Sequence, residues 1–359
     1  MKIVVYAPTF YPPVVDGTSI QAAREAKLLA KENEVYRLTF SVDRDINQIK
    51  DIYCNSKIER LSPIFLDSAT RNHFNQLDGS HLSSRIKEIN PDVLIVRGWY
   101  QLKVIEKILD NCPGQKILWH VDGLHECHSH YQKTTYYQRF LSKVCQSEIT
   151  FAGLSKFDLP LLTELGISNN KTCVVLPFLK KDLFQKKKER SDLRFLSFGR
   201  FVPHKRHLFI KKQIVRLFPE KQLIFAGAAD SKQSYQCIKE LLHQGTQLFL
   251  NPTDDLMNFL FMNATHFLSG SMVESLGIST LEAVAANCIP LVRNVGGIKS
   301  YLPDDCMYDS DEMFADKLKK LCSLKHTENM SIKLKKLRDR LEPESVYLDL
   351  MQVLHRLIR

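Results

Sequence analysis

The chain predicts an α/β protein built from two doubly wound parallel sheets. Three observations carry this. Short apolar, β-rich runs alternate with helical segments along the chain, the pattern of right-handed βαβ units. At 359 residues the chain is too long for one typical domain and suits two, and 44% hydrophobic residues can fill two cores. A charged stretch at 180–190 holds few apolar residues and the sheet pattern starts afresh after it, so a boundary falls near 178–192.

The charge balance narrows the partners. A net charge of +10 and a pI near 9.0 favour anions: a phosphate-bearing ligand, an acidic membrane surface or nucleic acid. The basic residues are dispersed and form no DNA- or RNA-binding motif, so a nucleic-acid partner is not expected. Nine cysteines are scattered without a C-x-x-C pair, which reads as buried thiols of a reducing compartment and a cytoplasmic protein. Met1-Lys2 leads straight into a strand, so no signal peptide is expected, and no apolar run reaches transmembrane length.

In the first half, residues 2–7 form a strand that ends at Pro8. A Pro- and Gly-containing loop to Gly17 follows, and Thr18 or Ser19 caps a helix carrying Ala22, Ala23, Ala26, Leu28 and Leu29. That loop lies at the strand's C-terminal end, where such sheets bind ligands. Strands are expected at 35–40, 92–98, 116–123, 149–155 and 173–177, and helices at 82–89 and 102–109; residues 47–79 match no pattern. His120 and Asp122 stand at the end of one strand. The crowded His125, Cys127, His128 and His130 lack the two separated ligand pairs of a zinc site and read as a polar active-site loop. Residues 130–145 mix Tyr131, Tyr136, Tyr137 and Phe140 with Lys133, Arg139 and Lys143. Such a mixture suits a membrane surface, but a solvated helix face with core aromatics is the commoner reading.

The second half opens with a strand at 193–200, a loop holding His204, Lys205 and Arg206, and a helix over 207–217. Four cationic or potentially cationic groups, Arg200, His204, Lys205 and Arg206, thus flank a helix N-terminus. Arginine forks two phosphate oxygens and lysine adds a point charge, so the group suits a diphosphate. Strands at 222–228 and 247–250 follow, the second ending at Asn251, with a helix over 254–262. Residues 289–292 and 296–298 close the sheet, and helices fill 311–359.

The second half turns on residues 265–286: a buried strand, a small-residue turn and a helix. Glu274 falls in the strand-to-helix loop, Ser275, Leu276 and Gly277 form the turn, and Glu282 lies two turns into the helix. The helix N-terminus presents unpaired N–H groups and a positive dipole end, which attract phosphate, and Gly277 permits close approach. Taken alone, the stretch reads better as an ordinary βα unit with two solvated glutamates.

Together these residues carry a resemblance. The chain resembles the retaining glycosyltransferases of the GT-B fold, most closely family 4, the glycosyl transferases group 1. Glu274 and Glu282 have the family's E-x7-E spacing, and Gly296-Gly297 follows. Gly199, Arg200 and Lys205 match its strand–Gly–Arg–loop–Lys element, residues 3–17 its first strand and loop, and His120 its strand-end histidine. Three features depart from the family: Asp16-Gly17 in place of Gly-Gly, Arg206 in place of glycine after the lysine, and 177–180 without Asn-Gly.

The resemblance implies two Rossmann-like domains facing across a cleft, residues 1–180 for the acceptor and 181–342 for the sugar nucleotide. A C-terminal helix, 343–359, crosses back to the first domain with Tyr347. It implies a UDP- or GDP-sugar donor, no cofactor and no metal, with a glycan or lipid-linked acceptor; the net charge of +10 suggests peripheral contact with the inner face of an anionic membrane. Arg200 and Lys205 hold the diphosphate, helped by backbone N–H groups of Ser275, Leu276 and Gly277. Glu282 takes the ribose, Glu274 the donor sugar, and His120 reaches that sugar from the other domain. Gly17 and Asn251 complete the donor site. The rival readings are a sugar-nucleotide epimerase on the same fold and a non-catalytic sugar-nucleotide-binding module.

Overall fold

The computed structural model describes residues 1–8, 17–42, 57–64, 79–99, 101–185, 192–229, 232–242 and 246–359. The chain divides into two compact units, Met1–Phe178 with Val346–Arg359, and Leu179–Ser345.

The first unit holds a seven-stranded parallel sheet. Its strands are β1 (Lys2–Tyr6), β2 (Glu34–Val42), β3 (Lys57–Ile64), β4 (Val93–Arg97), β5 (Ile117–His120), β6 (Ile149–Gly153) and β7 (Thr172–Val174), in the order β3-β2-β1-β4-β5-β6-β7. The order reverses between β1 and β4, the switch point at which doubly wound sheets bind ligands. Helices α1 (Gly17–Leu29), α2 (Ser80–Ile89), α3 (Leu102–Asn111), α4 (Leu124–Tyr131), α5 (Thr135–Gln146) and α6 (Leu159–Glu164) make the crossovers. β1 and β4 are buried along almost their whole length, as sheets covered on both faces require. Trp99 and Trp119 stack with ring centroids 4.5 Å apart beside Phe140 and Phe151, and both indole N–H groups are satisfied, by Tyr137 Oη and the Gly98 carbonyl.

Three readings of this half change, and one of two alternatives is settled. α1 starts at Gly17, so Thr18 and Ser19 lie inside its first turn rather than capping it. Residues 125–130 belong to a helix, not a loop: His125 stacks on Phe157 and its Nε2 lies 3.4 Å from Asp158 Oδ1. In 130–145 the helix face with core aromatics is what forms, with Tyr137 and Phe140 buried while Lys133 and Arg139 face solvent. The patternless region contains β3, an edge strand whose Lys57, Glu59, Arg60 and Pro63 hide the β signal but suit an unpaired edge. The loop at 9–16, with Asp16, lies outside the described residues.

The second unit has a six-stranded parallel sheet ordered β10-β9-β8-β11-β12-β13. Its strands are β8 (Arg194–Phe198), β9 (Gln222–Gly227), β10 (Thr246–Leu250), β11 (His266–Ser269), β12 (Ile289–Arg293) and β13 (Met307–Tyr308). The helices are α7 (His207–Leu217), α8 (Lys232–Leu241), α9 (Asp254–Asn263), α10 (Ile278–Ala285), α11 (Asp311–Leu321), α12 (Leu324–Arg340) and α13 (Pro343–Ile358). Residues 296–298 are not a strand. Gly296–Ser300 forms a 3-10 turn, and β13 closes the sheet instead. The charged linker begins as a 3-10 turn, Lys181–Phe184, pinned by buried Leu183 and by Arg338 Nη2, which donates to the Phe184 carbonyl. The end of α13 belongs to the first unit, where Tyr347 Oη donates to Glu32 Oε2 at 2.9 Å.

Candidate active site

In the second unit the strand order reverses between β8 and β11, and the loops leaving those two strands carry the sequence-predicted residues. The β8 loop runs through Gly199 and Arg200 into a 3-10 turn, Pro203–Lys205. The β11 loop runs through Glu274 to the turn at Ser275–Gly277. The loops are tied together twice. Met272 N–H donates to the His204 carbonyl at 2.8 Å, and Lys205 Nζ lies 2.5 Å from Glu274 Oε1. Arg200 is exposed, and its guanidinium makes no ion pair with the described residues.

Local physics fixes each loop. His207, buried at the start of α7, links Ser197 Oγ (3.1 Å from Nδ1) to the Arg200 carbonyl (3.2 Å from Nε2). Burial pushes its pKa down to about 4, so the neutral ring donates from Nε2 and accepts at Nδ1, clamping the backbone of Arg200. His204 is also shifted down, by desolvation and then by Lys205 and Arg200. Gly277 caps α10 with φ 77, a conformation a side chain resists. Gly296, at φ 62, lies so close to Glu274 that a Cβ would meet its carbonyl oxygen at 1.9 Å, and Gly297 N–H donates to the Ser275 carbonyl at 2.7 Å. The Gly-Gly pair thus buttresses the Glu274 turn from below.

Glu282 is the fifth residue of α10, one turn in rather than two, and is half-buried. Asn251 is exposed with φ 47, and its Oδ1 accepts from Ala229 N–H, which closes the loop after β9. Gly17 is the exposed first residue of α1. Among the described residues no three His, Cys, Asp or Glu side chains come together to hold a metal; the side chains of Cys127 and His130 lie outside that set.

Arg206 is a correction. It does not join the diphosphate cations, because its guanidinium forks onto Asp311, with Nη1 2.7 Å from Oδ1 and Nη2 on Oδ2, and lies 4.4 Å over the Phe209 ring. Those hydrogen bonds and Arg293 hold the Asp311 carboxyl below its usual range. Arg206 sits at φ 54, a backbone conformation that favours glycine. The left-handed backbone costs about 1–2 kcal/mol, and the partly exposed pair returns a similar amount at most. Arg206→Gly should therefore keep kcat/KM and melt within a few degrees of wild type, whereas Arg206→Ala, which keeps the strain and loses the pair, should melt lower. A large loss of donor affinity in Arg206→Gly would return Arg206 to the phosphate.

The first unit holds a cluster that the sequence reading did not assemble. His120, at the end of β5, is fully buried, with Nε2 3.0 Å from Glu25 Oε1. Arg97, its register neighbour at the end of β4, donates from Nε to Glu25 Oε2 at 2.9 Å and from Nη1 to Asp122 Oδ2 at 3.3 Å. Glu25 comes from α1. Its signal was a charge set among the apolar positions 22, 26 and 29, as Arg97's was a charge ending an apolar strand. Burial raises the pKa of Glu25, but Arg97 and His120 together outweigh it and bring it from 4.5 to about 2. A folded pKa below the unfolded one stabilises the fold above pH 4.5 and loses that contribution as pH falls toward 2. Glu25→Gln should thus unfold at lower urea than wild type at pH 7, with the gap narrowing by pH 3; a gap independent of pH would contradict the network.

Comparison with known proteins defines the class. Residues 180–338 match the family described as glycosyl transferases group 1. Sucrose-phosphate synthase from Thermosynechococcus elongatus superposes with a TM-score of 0.77 at 13% identity, over 99% of this chain and 98% of that one. Anabaena HepE, solved in complex with UDP-glucose, superposes at 0.75 and 13% identity over 99% and 100%. A mouse GDP-Man:Man(3)GlcNAc(2)-PP-Dol alpha-1,2-mannosyltransferase is 27% identical over 185 residues, covering 45% of this chain and 37% of that protein. The chain has the GT-B fold, and its second unit carries the similarity to the glycosyl transferases group 1.

Proposed function

We infer that the protein is a retaining, metal-independent glycosyltransferase. It moves a sugar from a UDP- or GDP-sugar to a hydroxyl of a glycan or lipid-linked acceptor. The observation that carries this is the convergence of Arg200, Lys205 and Glu274 on loops from β8 and β11, at the switch point and beside the N-terminus of α10.

As the sugar leaves, negative charge builds on the diphosphate. Arg200, Lys205 and the backbone N–H groups of Ser275, Leu276 and Gly277 stabilise it there, in the role a divalent cation plays elsewhere. Lys205 exchanges Glu274 for a phosphate oxygen, and the released carboxylate accepts from hydroxyls of the transferred sugar. Glu282 accepts from the ribose, and Asn251 contributes to donor binding. The test is release of nucleoside diphosphate from UDP-glucose and GDP-mannose, with and without EDTA. Turnover insensitive to EDTA and an anomeric configuration unchanged by NMR support the reading. Turnover that stops with EDTA and returns with Mg²⁺ or Mn²⁺, or an inverted anomer, opposes it.

A lipid-linked acceptor is supported by the mouse relative, whose acceptor is dolichol-linked, and by the net charge of +10. No described helix is long and apolar enough to cross a membrane, so the contact proposed is peripheral. The protein should sediment with anionic vesicles at low salt and be released at high salt. Absence of binding at low salt would point to a soluble acceptor.

A further inference from the structure

Arg200 carries its charge in solvent on a backbone that the fold grips from several sides. Gly199 N–H donates to the Ala226 carbonyl at 3.0 Å, and Phe201 N–H to the Ala228 carbonyl at 3.1 Å. A Cβ on Gly227 would lie 1.8 Å from the Gly199 carbonyl oxygen, so the loop after β8 packs on bare backbone there. The Arg200 carbonyl accepts from Val202 N–H at 2.9 Å and from His207 Nε2 at 3.2 Å. The His207 ring is buried between Phe201 and Phe225, with centroids 5.2 and 5.5 Å away. Its Nδ1 lies 3.1 Å from Ser197 Oγ, which is buried on β8.

We propose that Ser197 and His207 are positioning residues for the donor diphosphate: through the Arg200 carbonyl they set where the Arg200 guanidinium stands. This rests on the reading of Arg200 given above and uses residues of the second unit alone. A carbonyl has no hydrogen to give, so the ring must donate from Nε2. Burial keeps the ring neutral, Nδ1 then holds only a lone pair, and the Ser197 hydroxyl must donate to it. The donors therefore run one way, from Ser197 to His207 to Arg200. Without Ser197 both tautomers are open to the ring, and the Nδ1–H form turns a lone pair toward the Arg200 carbonyl. An exposed arginine whose backbone is fixed has less freedom left to lose when a diphosphate binds, so the effect falls on donor affinity.

Two measurements test it. The first reads the ring ¹⁵N shifts of His207 in the intact protein, assigned by their loss in His207→Gln. A protonated Nε2 and a bare Nδ1 are expected; a hydrogen on Nδ1 overturns the proposal. The second is a double-mutant cycle on the dissociation constant of UDP or GDP, whichever wild type binds more tightly. His207→Leu should weaken binding about tenfold, the lower end of what partners that orient a metal ligand contribute. Ser197→Ala should also weaken binding, and it removes so little that it carries the cycle if His207→Leu fails to fold. His207→Gln, whose amide can donate to the same carbonyl, should recover most of the loss. In an Arg200→Ala background none of the three should weaken binding further. A purely structural pair predicts losses that multiply there, and that result, or wild-type binding in both His207→Leu and Ser197→Ala, overturns the proposal. If wild type binds neither nucleotide, or Arg200→Ala binds as wild type does, the diphosphate reading itself fails and the proposal falls with it, a result distinct from the others.

Discussion

Glu274→Gln is expected to lower kcat on the order of 10²-fold while donor KM stays within about threefold, and Glu282→Gln is expected to do the reverse. Glu274 sits in the β11 loop against Lys205, and the proposed mechanism puts the diphosphate and the reacting sugar there. In that mechanism its carboxylate is drawn in as charge redistributes, so its loss falls on the reacting step. Glu282 lies one turn into α10, and the proposed mechanism gives it the ribose, which does not react. Uniform binding changes KM alone. The amides keep the size of both side chains, and circular dichroism would confirm the fold. Glu274→Gln should also bind free nucleoside diphosphate more tightly, because Lys205 no longer shares its charge with a carboxylate. Steady-state kinetics with full activity in both variants would make the E-x7-E spacing an accident of the helix.

Arg200→Ala and Lys205→Ala should each cost about 1.5–3 kcal/mol of transition-state stabilisation, or about 10- to 150-fold in kcat/KM. Part of the Lys205 loss belongs to Glu274, left half-buried without its cation. Arg200 is exposed and makes no ion pair with the described residues, so its loss leaves no structural debt and should appear almost wholly in donor binding. Near-wild-type kcat/KM in both variants would remove the diphosphate from this site.

What the sequence revealed and what it hid follow from the range of the interactions. Arg200, Lys205, Glu274 and Gly277 were legible because each lies in a loop between a strand and a helix, and those local units have strong patterns. Glu25, Arg97 and Asp122 were not assembled, because Arg97 reaches Glu25 across 72 positions and Asp122 across 25. Arg206 was misread as a phosphate ligand for the same reason: its partner, Asp311, lies 105 positions on. β3 escaped because an edge strand tolerates charge and proline, and α4 because a run of histidines has no apolar period, its His125 being held by Phe157 and Asp158.

The most direct test of the central claim, that the second unit binds a sugar nucleotide through Arg200 and Lys205, is thermal unfolding across a ligand panel. The panel holds UDP-glucose, GDP-mannose, UDP, GDP, the free sugars and a short oligonucleotide. A ligand that binds the native state raises the melting temperature. One nucleotide family should do so in wild type and fail to do so in Arg200→Ala/Lys205→Ala, with the free sugars and the oligonucleotide silent in both. No shift with any sugar nucleotide, or a shift undiminished in the double variant, would contradict the account.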